Sequence, residues 1–77
     1  MSVNMKPGTM ERISEHVRHA RNKHPEWRKT PDYAFAVAEL EWNEIHHALR
    51  WETQKRVEEE ALDLIAVLIR IIEGDHR

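Results

Sequence analysis

The chain of 77 residues contains no cysteine, only two glycines and three prolines, and a single tyrosine and phenylalanine. Without thiols there is no disulfide framework and no thiolate metal site, and a reducing, cytoplasmic setting is the expected one. The scarcity of glycine and proline excludes a flexible low-complexity segment. Positive charge is not in surplus: 12 Lys+Arg against 14 Asp+Glu leave a net charge of −2. That balance argues against nucleic acid as a partner, because such binding draws on displaced phosphate counterions. The longest apolar run, Leu64 to Ile69, is bounded by Asp63 and Arg70 and falls far short of the roughly 20 residues that cross a bilayer, so no membrane partner is expected. Residues 1–8 lack the apolar stretch and cleavage site of a secretory signal and read as a tail ahead of one domain over 9–77.

What the sequence does contain, 40% apolar and 34% charged residues, is a composition that folds. No alternating β pattern or internal repeat occurs, and three helical stretches are predicted. In the first, Met10, Ile13, Val17 and Ala20 recur at three- and four-residue steps behind a capping Thr9. Pro25 breaks that period and makes His24 to Lys29 a loop. Thr30-Pro31-Asp32 then combines a capping hydroxyl, a proline at the first helical position and an acid in the positive first turn, starting a helix at Pro31 that runs to about Trp51. A third helix is predicted from about Thr53 to Glu73, stopped by Gly74. Nine of the eleven residues from Leu62 to Ile72 are apolar, more than one buried stripe requires. A domain this short buries only about 60% of its unfolded surface. The fold class is therefore all-α, a three-helix unit with a central antiparallel hairpin that completes a four-helix-type bundle as a homo-oligomer, dimer or tetramer.

Two acidic pairs stand out, Glu41-Trp42-Asn43-Glu44 and Glu60-Ala61-Leu62-Asp63. Each sets two carboxylates on one helical face. In an antiparallel hairpin, residues at equal height have a constant index sum, and Glu44 with Glu60 shares that sum with Glu41 and Asp63. All four acids thus meet in one register about a turn near Glu52. They interrupt an inward face that carries Ala34, Val37, Ala38 and Ala48 on one helix and Val57, Leu64 and Val67 on the other. Carboxylates crowded there repel one another and lose hydration, a conflict that a divalent cation removes. Oxygen ligands without cysteine select Mg²⁺ or Mn²⁺, and Mg²⁺ commonly completes its shell with substrate phosphates. Glu58 and Glu59 read as solvated surface. Charge is also sorted: residues 6–29 hold seven bases and three acids, residues 32–63 nine acids and three bases.

This ExxE and ExxD pairing on consecutive helices resembles the all-α nucleoside triphosphate pyrophosphohydrolases of the MazG type. His24-Pro25-Glu26-Trp27 ahead of the second helix, Ala48 one turn after Glu44, and Arg56 to Ala61 leading into an apolar helix agree with it, over about residues 12–73. The resemblance implies Mg²⁺-dependent hydrolysis of a nucleotide substrate to a monophosphate and pyrophosphate. Glu41, Glu44, Glu60 and Asp63 would hold the metal. Arg21, Lys23, Arg28 and Lys29 would offset triphosphate charge, and Trp27 would stack on a base or, as short-loop tryptophans usually do, lie as a lid on the core. Leu40 stands where the family commonly has a further Glu, and Glu39 lies about 100° around the helix from that place. Asn43 replaces a usual glycine. The alternative is a non-catalytic helical dimerisation or regulatory module, joined through the Leu62 to Ile72 face, with a degenerate metal site.

Other ligand patterns are weaker. His16 and His19 sit one helical turn apart without a third ligand nearby in sequence and read as surface. Glu44 and His47 have di-iron spacing, but the second copy, Glu73 and His76, straddles the stop at Gly74. Trp42 and Trp51 are expected in the bundle or a partner interface. No glycine-rich phosphate loop, nucleophile elbow or zinc spacing is present.

Overall fold

The computed structural model describes residues 4–77, and of the tail assigned to residues 1–8 the first three lie outside that range. The chain forms three helices, α1 (Thr9–Lys23), α2 (Pro31–Trp51) and α3 (Gln54–Ile72), and no strand among the described residues. Local chemistry fixes their ends. Thr30 is extended and its Oγ1 accepts from the Tyr33 amide at 3.1 Å, with Pro31 entering the helix behind it. Thr53 does the same for α3, accepting from the Arg56 amide at 3.3 Å. Gly74, with φ at +86°, stops α3 in the left-handed conformation. The Asp75 amide then folds back to the Arg70 carbonyl at 2.9 Å. The start of α1 differs from the sequence reading. Thr9 lies inside the helix, and Gly8, at φ +89° and with no side chain to offer, occupies the cap.

α2 and α3 form the antiparallel hairpin, joined through Glu52 and Thr53 alone. α1 packs on α3, and no backbone approach links α1 to α2. The centre of the fold is therefore α3, flanked on two sides, with a gap between its neighbours. A small core of Trp27, Ala34 and Val67 fills the junction, with Tyr33, Val37, Ala38 and Ile71 packed around it. Trp27 meets Tyr33 edge to face at 5.8 Å between ring centroids.

Arg70 is the largest fully buried side chain, 2% exposed. Its guanidinium lies 4.5 Å over the Trp27 ring. It donates to Asp75 Oδ2 at 2.6 Å, the His24 carbonyl at 2.8 Å and the Ala20 carbonyl at 3.3 Å. One cation thus ties the ends of α1 and α3 to the loop before α2.

The radius of gyration, 13.2 Å, exceeds the roughly 11.5 Å of a compact chain of this length. Apolar surface is correspondingly left uncovered. On α2, Phe35, Trp42, Ile45 and Leu49 share one face at seven-, three- and four-residue steps, and on α3 Ala61, Ile65, Leu68 and Ile72 do so at alternating four- and three-residue steps. Phe35, Trp42, Leu49, Leu68 and Ile72 are all exposed. Helical phase, at about 100° per residue, puts both rows on the side of the hairpin turned away from α1. The uncovered apolar area expected on Leu62 to Ile72 is thus shared, and α2 holds the larger part of it. Leu62, Ala66 and Val67 in that run are buried.

No helix of the described residues is long and apolar enough to cross a membrane.

Candidate metal centre

The hairpin register brings Glu41, Glu60 and Asp63 together, one carboxylate oxygen of each lying within 4.8 Å of the others. Glu41 comes from α2 and the other two from α3. Glu44 stays outside this set and is exposed, yet its charge is near enough to act on both Glu41 and Glu60.

Burial of Glu60 and partial burial of Glu41 make the trio unstable as bare anions, Asp63 being the most open of the three. Glu60 is 5% exposed. One of its oxygens accepts from Arg56, whereas Oε2 is buried and meets no hydrogen-bond donor among the described residues. Glu41 Oε2 is equally unpartnered. Desolvation, followed by repulsion from Glu44, Asp63 and Glu60, pushes the Glu41 carboxyl up to about 7. Desolvation and then Glu44 raise Glu60 to about 7. Asp63 is also raised, again chiefly by burial, with His16 acting in the opposite direction. Two carboxylates with an unpartnered buried oxygen each, set close to a third carboxylate, leave the negative charge of the trio unbalanced. Such a donor set fits a hard divalent cation, which would supply the missing counter-charge.

A histidine from α1 stands beside the trio without joining it. His16 Nδ1 lies 3.0 Å from the Arg12 carbonyl, which can only accept, so Nδ1 carries the proton. Nε2 then faces Asp63 Oδ1 at 3.9 Å, beyond hydrogen-bond range. The pairing joins residues 16 and 63 and rests on α1 docking against α3, a long-range contact that helical spacing within α1 does not reveal.

Of the residues expected near substrate, Lys23 lines the cleft beside Glu41 and Asp63. Trp27 borders the same cleft but is 5% exposed, with Arg70 over its face and Tyr33 at its edge, the lid-like packing open to a tryptophan in a short loop. Arg21 is turned to the end of α3, donating to Glu73 at 2.6 Å and to Asp75 at 3.1 and 3.2 Å. Lys29 donates to the Asp75 carbonyl at 3.0 Å, and Arg28 is exposed outside the cleft lining. Leu40 and Asn43 line a second groove, between α2 and α3, together with Glu44, His47, Arg56 and Glu60.

No protein-family model matches the chain, and no curated protein or solved structure is significantly similar to it.

Proposed function

We propose that the protein is a divalent-metal-dependent nucleotide hydrolase of MazG-like type, splitting a nucleoside triphosphate between its α and β phosphates. The observation that carries this reading is the buried, unpartnered Glu60 Oε2 within a trio of converging carboxylates. Glu41, Glu60 and Asp63 would hold Mg²⁺ or Mn²⁺, with Glu44 joining through a small rotation or a bridging water. The bound ion would polarise a phosphoryl oxygen and acidify an attacking water. Water oxygen adds to the α phosphorus, the α–β bridging bond breaks, and monophosphate and pyrophosphate leave. The lack of cysteine supports a cytoplasmic setting.

The uncovered rows on α2 and α3 support a homo-oligomer. Their three-four spacing is that of a helical seam, and two hairpins packed face to face through it make a four-helix bundle. Light scattering is expected to give a multiple of the 9.2 kDa chain mass, and Trp42→Glu to return it to one.

The test of the activity is a panel of nucleoside triphosphates with Mg²⁺ or Mn²⁺, scored for products. Pyrophosphate and monophosphate in equal amounts are expected, and both vanish in Glu60→Gln. Turnover to orthophosphate would refute the bond assignment. No turnover, with metal still raising the melting temperature, would leave the alternative, a non-catalytic helical module that retains a metal site.

A further inference from the structure

Between α1 and α2, over the surface of α3, lies a cleft of about 290 Å³. One wall carries Glu41 and Asp63, and the floor is Ala66 and Val67. The opposite wall is α1, which presents His19 and Lys23. These two are four residues apart and share a helical face. Both are exposed, and neither forms an ion pair among the described residues, whereas Arg21 on the same helix is fully engaged by Asp75 and Glu73. The cleft therefore sets free donors across from a metal-ready acidic wall. Its volume falls just below the range for small-molecule sites, roughly 300–1,000 Å³. That space suits a phosphate chain rather than a whole nucleotide.

We infer that this cleft holds the polyphosphate chain of the substrate, with His19 and Lys23 of α1 binding the phosphate oxygens that the metal does not. The assignment rests on the metal-dependent reading above and names a phosphate-binding wall for it. His16 is not one of these donors, because its Nδ1 proton is committed to the Arg12 carbonyl and its Nε2 faces Asp63. Lys23 supplies the fixed charge and His19 a ring N–H, and each contact to phosphate is charge-assisted.

The probe is inorganic tripolyphosphate with Mn²⁺, titrated calorimetrically into metal-saturated protein, beside a thermal melt with Mn²⁺ alone. Wild type is expected to bind the probe. Lys23→Gln and His19→Ala are each expected to weaken it by roughly tenfold, the loss of one charge-assisted hydrogen bond, while the melting shift with Mn²⁺ alone stays at the wild-type value. Both side chains are exposed, so neither variant threatens folding. Unchanged probe affinity in both variants, with the metal response intact, overturns the phosphate wall alone. Loss of the metal response in either variant overturns it as well, since that residue would then belong to the metal centre. Wild type that responds to neither Mn²⁺ nor the probe overturns the metal-dependent reading and this assignment together.

Discussion

The two halves of α3 solve the same electrostatic problem in opposite ways. At its C-terminal end a buried cation, Arg70, finds a carboxylate, two carbonyls and an aromatic face, and Arg21 pairs with the same Asp75 from outside. In the first half, Glu60 is as deeply buried, but only Arg56 offsets it while Glu41, Glu44 and Asp63 crowd it. The first arrangement satisfies its charge internally and holds three segments together. The second keeps a surplus of negative charge inside the protein, which structural stability alone would not select. Full pairing therefore marks the framework of this molecule, and incomplete pairing marks its candidate site.

The sharpest way to break that comparison is Arg70→Ala. Removing a fully buried cation leaves Asp75 and two carbonyls under-satisfied and opens a gap beside Trp27, with an expected cost of about 3 kcal/mol. Urea denaturation should show it as a much lower midpoint, and a midpoint equal to wild type would mean the staple contributes little. The acidic half should respond with the opposite sign. Glu60→Gln removes a desolvated charge and is expected to stabilise the metal-free protein at neutral pH by on the order of 1–2 kcal/mol. The melting shift expected of wild type with Mg²⁺ or Mn²⁺ should be absent from the same variant. A destabilised variant that still responds to metal would contradict the picture of the trio.

The pH dependence follows from the same contrast. Glu41 and Glu60 have folded values raised to about 7 from an ordinary 4.5, so the folded protein binds more protons than the unfolded chain between those limits. Their contribution is fully present below about pH 4.5 and is lost as pH rises through about 7. Melting temperature of the metal-free protein should fall over that window, and saturating Mn²⁺ should flatten the fall. Asp75, held below its ordinary value by Arg21 and, more weakly, Arg70, acts in the reverse sense, withdrawing stability only as pH drops through its own lowered value. The smallest effect belongs to Arg21→Ala. Its pairs with Glu73 and Asp75 are partly exposed, and about 0.5–1 kcal/mol is the expected loss.

Much of the fold was legible because its signals are local. Thr30-Pro31 and Thr53 cap their helices as their chemistry dictates, and the short link at Glu52 and Thr53 fixes the register that joins Glu41 to Asp63 and Glu60. Glu44 shares that register, yet its side chain lies on the rim, because equal height along two helices does not fix how far around each one a residue sits. Arg70 was hidden for another reason. In sequence it interrupts an apolar run, and only the turn after Gly74 brings Asp75 back beside it. The direction of Phe35, Trp42 and Leu49 was equally out of reach, since the side left open on α2 depends on where α1 docks. The contact of His16 with Asp63 depends on the same docking.

Because α1 and α2 each lean on α3 and not on one another, the molecule behaves as two attachments to a common axle. Residues of α1 that face away from α3 can be rewritten without disturbing the span between Glu41 and its neighbours on α3. A lineage or a designer could thus vary one attachment while leaving the three carboxylates between α2 and α3 where they are.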